Sequence, residues 1–243
     1  MRAFGLIGYP LGHSFSKKYF TDKFNREGIT GNVYELYPLE QIDHLRDLLA
    51  SNPDLAGLNV TIPYKEQVIA YLDSMSPVVE EIGACNCIHI RDGHLSGHNT
   101  DVIGFSRSLL PKLKPHHKQA LILGTGGSSK AVAYTLKELG IPFLQVSRTP
   151  IDGMIGYEEI DQSMLESHTL LINTTPVGMY PEIETAPAIP YAFIGADHYL
   201  FDLVYNPERT RFLQEGVLRD ATVENGSEML VIQAEASWDI WNS

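Results

Sequence analysis

Three groups of residues in this sequence could do chemistry by their type and spacing. The first is GTGGSS, Gly124 to Ser129. Gly124, Gly126 and Gly127 free the backbone for a tight turn and let N–H groups approach a pyrophosphate, whose charge suits the positive end of a following helix. Ser129 stands where the GxGxxG fingerprint has its third glycine, and glycine clusters also close ordinary turns, so context must decide. About 20 residues further on, where an acidic residue would mark NAD by binding its ribose hydroxyl, the chain reads Ser147-Arg148-Thr149. An arginine suits a 2′-phosphate, which points to NADP.

The second group is Asn59, Thr61 and Lys65 in NVTIPYKE, crowded around a proline turn. At the carboxyl end of a strand they would stand where open α/β sheets bind ligands, although a lone lysine is usually a solvated surface residue. The third is Ser14 and Ser16 in YPLGHSFSKKYF. Their hydroxyls beside a helix N-terminus would cradle a carboxylate, or simply cap the helix, with Ser16 as the natural N-cap. A further cluster, Cys85, Cys87, His89, His94 and His98, lacks the CxxC or HxxxH spacing of a zinc site and is read as no metal site. By period-two alternation, Cys85 and Cys87 turn away from the face that Asn86 meets.

Elements must position these groups. Ala120–Leu123 is an unbroken apolar run, Ala131, Leu136 and Leu139 share one helix side, and Phe143–Val146 is a second apolar run. Strand, glycine turn, helix and strand within about 30 residues make a βαβ unit. Upstream, strands are expected at 3–8, 33–37 and 56–60, with a helix ending near Gly28 and a helical stripe from Leu39 to Leu49. A short helix follows from Ser76, then two strands turning at Asp92-Gly93, then a helix beginning at Asp101. Downstream, strands at 169–173 and 199–204 alternate with a weak helix at 162–166 and a helix from Glu208 to Glu215. The segment 226–241 is a largely buried helix expected to pack back on the first domain.

The 243 residues suit two small domains or one large one. A net charge of −12 argues against nucleic acid or an anionic membrane as partner and favours small molecules. Two cysteines two residues apart make no disulfide framework, and no apolar run approaches a membrane span. A reduced, cytoplasmic protein is expected.

Taken together, GYPLGHSFS, LNVTIPYK, GACNCI, NTD, LGTGGSS, SRT, FDLVYNPERT and NGSEMLVIQ resemble, in order and spacing, the motifs of the shikimate dehydrogenase family. The resemblance covers nearly the whole chain. It implies an α/β protein with an N-terminal, mostly parallel substrate domain and a C-terminal NADP-binding Rossmann domain, the last helix returning to the first. Residues 1–101 with 226–243 would form the substrate-binding and catalytic domain, and 102–225 the dinucleotide-binding domain. The implied activity is NADP-dependent, reversible reduction of 3-dehydroshikimate to shikimate in aromatic amino-acid (chorismate) biosynthesis.

The same resemblance assigns Lys65 and Asp101 as the catalytic pair. Ser14 and Ser16 would hold the substrate carboxylate, with Asn59, Thr61, Asn86, Tyr205 and Gln233 also at the substrate. Gly124, Thr125, Gly126, Gly127, Ser128, Ser147, Arg148, Thr149, Leu203 and Gly226 would meet the cofactor. The chain departs from the family at His98, commonly acidic, and at Ser147, commonly asparagine, while Asp152 lies where a second basic residue is often found. A quinate/shikimate dehydrogenase with relaxed cofactor use, taking NAD more weakly, shares every motif; a non-catalytic dinucleotide sensor would not need Lys65 and Asp101. The expected state is monomer or homodimer.

Overall fold

The computed structural model describes residues 1–12 and 14–243, and these form two compact units. One comprises Met1–Ile103 with Leu230–Ser243, the other Gly104–Met229. The first unit holds strands β1 (Arg2–Gly8), β2 (Asn32–Pro38), β3 (Leu55–Val60), β4 (Ser74–Met75), β5 (Cys87–Arg91) and β6 (His94–His98). Helices α1 (Phe15–Arg26), α2 (Leu45–Ser51) and α3 (Pro77–Ile82) connect them, and α4 (Thr100–Leu109) begins in this unit. The sheet order is β2-β1-β3-β5-β6-β4. β1 runs parallel to both neighbours and β4 parallel to β6, whereas β5 is antiparallel to β3 and β6. The hairpin between β5 and β6 turns on Asp92 and Gly93, both at positive φ, the conformation that matches strand twist.

The second unit holds β7 (Ala120–Leu123), α5 (Gly127–Glu138), β8 (Phe143–Ser147), β9 (Met154–Gly156), α6 (Gln162–Ser167), β10 (Leu170–Asn173), β11 (Tyr199–Asp202), α7 (Arg211–Val217) and β12 (Thr222–Glu224). All its strands are parallel, in the order β12-β11-β10-β7-β8-β9. Counted from β7, that is the 3-2-1-4-5-6 order of a Rossmann sheet, with its switch point at β7 and β10. Every residue of β7, β10 and β11 is buried, so β7 reads as a continuous apolar run and β10 and β11 are apolar up to their last residues, Asn173 and Asp202.

The last helix, α8 (Ser227–Trp241), begins in the second unit and ends in the first. There Trp241 stacks on Phe4 at 4.9 Å and donates from Nε1 to the carbonyl of Ile88 at 3.0 Å. A Cβ at Gly57 would lie 2.3 Å from that indole, so β3 needs glycine where the helix seats.

Several local expectations are corrected. The stripe 39–49 is not one helix: Leu39 is tied to the Gly8 carbonyl, a 3₁₀ turn spans Ile42–His44, and α2 starts at Leu45. The helix expected from Glu208 starts at Arg211, because Thr210 caps it by accepting from the Leu213 N–H. At α1 the cap is Ser14, accepting from the Lys17 N–H at 3.4 Å, so Ser16 lies inside the first turn. Finally, the strand carrying the cysteines begins only at Cys87, and the alternation argument fails. Cys85 packs with Ile88 and Leu95, while Cys87 packs in a separate cluster with Phe4 and Trp241.

Candidate active site

Beyond β3 the chain turns through Thr61 to Lys65, and its path is held on both sides. Thr61 N–H donates to Ile7, and a Cβ at Gly8 would lie 2.5 Å from Thr61 Cγ2, so the end of β1 must be glycine. Tyr64 is buried and donates its hydroxyl to the Leu39 carbonyl at 2.6 Å. Lys65 accepts from the Cys85 N–H at 2.7 Å through its own carbonyl. Its ammonium then meets Asp101, Nζ to Oδ2, at 2.6 Å. With side-chain exposures of 13% and 4% this is no solvated surface lysine, and removing either partner would leave a buried charge.

Asp101 owes its place to the start of α4. The Thr100 N–H donates to Asn86 Oδ1 at 2.6 Å and the Val102 N–H to Asn99 Oδ1 at 3.2 Å, while Asn99 is itself anchored on the Ala84 carbonyl at 2.9 Å. The carboxylate therefore sits in the first turn of a capped helix, at its positive end.

Asn86 also donates to Thr100 Oγ1 at 3.1 Å, and from there a buried polar network spreads through the unit. Ser237 Oγ lies 3.4 Å from Thr100 Oγ1 and accepts from Asn59 Nδ2 at 2.9 Å. Tyr34 donates its hydroxyl to Asn59 Oδ1 at 2.9 Å, and Ser16 hydrogen-bonds to Tyr34 in turn. Burial pushes the Tyr34 phenol well above its ordinary pKa, so it stays a donor. Gln233 joins through its backbone, its carbonyl accepting from Ser237 at 2.9 Å.

Of the substrate-side residues expected from sequence, all but Tyr205 lie in this unit, and Lys65, Asp101, Asn59, Asn86, Ser16 and the Gln233 backbone share bonds. Thr61 stands on the Lys65 turn and Ser14 on the α1 cap. Sequence reasoning missed Tyr34, Thr100 and Ser237. Only Thr100 had a signal, as the middle residue of NTD. His98, next to this network in sequence, is half-buried, and burial holds its imidazole below the ordinary histidine pKa.

In the second unit the Gly124–Gly126 turn follows β7, and Gly126 caps α5, whose first turn carries Gly127 and Ser128. Gly124 has φ +114°, and a Cβ there would lie 2.7 Å from Thr174 Oγ1, so no other residue fits without strain. A Cβ at Gly126 would meet nothing within 4 Å, which leaves open space over the helix N-terminus. Ser129 replaces the third glycine without conflict: it is buried and its hydroxyl returns to the Gly126 carbonyl at 2.6 Å. Ser147 accepts from the Thr149 N–H at 3.1 Å, holding a turn from which Arg148 is exposed.

Leu203 and Gly226 are brought together, since a Cβ at Gly226 would lie 2.2 Å from the Leu203 carbonyl oxygen. The loop after β11, residues 203–210, carries Tyr205 and is tied at its ends by Asp202, which accepts from Val204 N–H at 3.0 Å, from Thr210 Oγ1 at 2.5 Å and also from Asn173 Nδ2 at 2.9 Å. Burial raises the Asp202 carboxyl to about 6 against the pull of those bonds. Asp202 and Thr210 are the outer residues of the motif in FDLVYNPERT, and their role in tying the loop was not assigned from sequence. Open space at a helix N-terminus, a required glycine turn and a basic side chain after the second strand fit a dinucleotide with a 2′-phosphate.

Among the described residues no helix is long and apolar enough to cross a membrane. Residues 6–88 match the shikimate dehydrogenase substrate binding domain. A shikimate dehydrogenase (NADP(+)) of Clostridium beijerinckii is 37% identical, covering 99% of this chain and 92% of the relative. The structure of shikimate 5-dehydrogenase from Thermus thermophilus with NADP(H) and shikimate superimposes at a TM-score of 0.88, with 30% identity over 99% of this chain and 93% of that one. Quinate dehydrogenase from Corynebacterium glutamicum with NAD gives 0.86 at 26% identity, over 99% and 93%. Glycine turn, Rossmann strand order, the Lys65–Asp101 pair and 37% identity over nearly the whole chain agree, and the chain belongs to the shikimate dehydrogenase family.

Proposed function

We propose that this protein is an NADP-dependent shikimate dehydrogenase, interconverting 3-dehydroshikimate and shikimate in the route to chorismate and the aromatic amino acids. The observation that carries the reading is the Lys65–Asp101 pair at 2.6 Å, buried at the end of a loop after β3 in a chain whose relatives bear that name. When bound, NADPH would supply the hydride for reduction and NADP+ would accept it in the oxidative direction. Gly124, Thr125, Gly126, Gly127 and Ser128 would hold its pyrophosphate, Ser147, Arg148 and Thr149 its 2′-phosphate end, and Leu203 and Gly226 its nicotinamide side. Asp152, four residues past Arg148, leaves that arginine as the main basic contact.

On the substrate side, Ser14 and Ser16 bind the carboxylate, and Asn59, Thr61, Asn86, Tyr205 and Gln233 the ring substituents. As the ketone gains hydride its oxygen becomes negative, and the Lys65 ammonium stabilises and protonates it. Asp101 keeps that ammonium charged and aimed. In the oxidative direction the pair receives the hydroxyl proton. The buried thiols Cys85 and Cys87 suit a reducing compartment, and we place the protein in the cytoplasm.

The single arginine favours a second reading, a quinate/shikimate dehydrogenase with relaxed cofactor use. Steady-state assays of shikimate and quinate with NADP and NAD separate the two. Shikimate with NADP is expected to have the highest kcat/KM; a highest value for quinate with NAD would reverse the assignment.

A further inference from the structure

We propose that Ser237 is a positioning residue that fixes the amide of Asn59 so that it meets the substrate only as a hydrogen-bond acceptor. The inference rests on the reading of Asn59 as substrate-binding. Ser237 is fully buried on α8. Its one hydroxyl hydrogen goes to the Gln233 carbonyl, 2.9 Å away and one turn back, so toward Asn59 it offers a lone pair. That lone pair takes one hydrogen of Asn59 Nδ2 at 2.9 Å, and the Asn86 carbonyl takes the other at 3.3 Å. On the opposite side the Tyr34 hydroxyl donates to Asn59 Oδ1 at 2.9 Å.

An asparagine side chain has two donors and two acceptor lone pairs. Bonds among the described residues fill both donors and one lone pair of Asn59, leaving one lone pair on Oδ1. Rotating the amide by half a turn would set Oδ1 against the Asn86 carbonyl oxygen and Nδ2 against the Tyr34 hydroxyl hydrogen, so the surroundings select one orientation. Asn59 so held reads a donating hydroxyl, and a site built around such a bond strongly disfavours analogues that lack it. Ser237 thereby acts on substrate choice from a helix far away in sequence, without touching the substrate.

The test is a double-mutant cycle read by calorimetric Kd for shikimate and by steady-state kinetics. Ser237→Ala should raise Kd and KM for shikimate about tenfold, with kcat within about twofold and KM for NADP unchanged. In an Asn59→Ala background the same change should cost nothing further, because the group it positions is gone. Ser237→Thr, which keeps the hydroxyl, should restore affinity. Should Ser237→Ala fold poorly, Tyr34→Phe deletes a single oxygen and should show the same coupling to Asn59. Unchanged shikimate affinity in Ser237→Ala, or full additivity with Asn59→Ala in an active enzyme, overturns this proposal alone. A wild-type protein that neither binds nor turns over shikimate overturns the functional reading and this proposal with it.

Discussion

The two units hold their functional groups by different means. In the first, side chains hold side chains: Lys65 is set by Asp101, Asp101 by the Asn86 and Asn99 caps of α4, and Asn59 by Tyr34 and Ser237. In the second, backbone and missing side chains do most of the placing, since Gly124 turns at φ +114° and Gly226 lets a chain segment approach Leu203. A side-chain network is sensitive to the loss of a single polar atom, because the partner is left buried and unsatisfied. A glycine-built cradle is sensitive to added volume and tolerant of polar changes around it. Substrate-side lesions should therefore spread through neighbours, whereas cofactor-side lesions should stay local.

The largest expected effect tests the first half of that contrast. Lys65→Ala should lower kcat by roughly 10²- to 10⁴-fold, the range for losing a positioned acid/base. It should also lower Tm, because Asp101 is left as an uncompensated buried charge, a loss of about 3–5 kcal/mol. A folded variant with near wild-type kcat would remove the lysine from the mechanism. Replacing both Ser14 and Ser16 with alanine should come next. Each bond to a carboxylate contributes about 1.5–3 kcal/mol, so KM for shikimate should rise by at least about tenfold while KM for NADP holds. If only Tm moves, Ser14 is a cap and Ser16 a support for Tyr34.

The cofactor side should answer more locally. Arg148→Ala should cost roughly ten- to a hundredfold in kcat/KM with NADP and little with NAD, since one charge-assisted bond and its stacking are removed. An unchanged NADP to NAD ratio would mean that the 2′-phosphate is held elsewhere.

The smallest effect concerns stability in the second unit. His117 is buried, accepts from the Lys114 N–H through Nδ1, and is held down to about 4 by burial, then by His116. The unfolded chain takes a proton near 6.5 that the folded chain refuses, so this contribution is present above that pH and is lost as pH falls toward 4. Asp202 works the other way: raised to about 6, it favours the folded state at low pH and loses that contribution as pH climbs from 3.8 to 6. The two partly offset one another in the wild type. His117→Asn, which keeps an acceptor for Lys114, should leave the Asp202 slope uncovered, with Tm declining between pH 4 and 6; a Tm profile parallel to wild type would contradict the shift at His117.

The same contrast explains what was legible in the sequence. The glycine turn between two apolar runs is a local pattern, and β7, α5 and β8 follow it closely. Likewise Asp92-Gly93 announces its hairpin. The Lys65–Asp101 pair spans 36 positions, so no spacing rule reveals it, and only the family motifs implied it. Ser237 and Tyr34 were invisible for a related reason: their roles exist only where α8 meets side chains of β2 and β3. Local capping escaped the sequence pattern at α1 and α7, where two candidates stood close together. Ser14 rather than Ser16 starts α1, and Thr210 is drawn into its cap by Asp202, eight residues back.

The most direct measurement is product identification: purified protein is given 3-dehydroshikimate and NADPH, with NADPH consumption followed by absorbance and the product identified by nuclear magnetic resonance. Shikimate should appear in equal amount to the NADPH consumed, and Lys65→Ala should make it far more slowly. No NADPH consumption, or a product other than shikimate, would contradict the assignment.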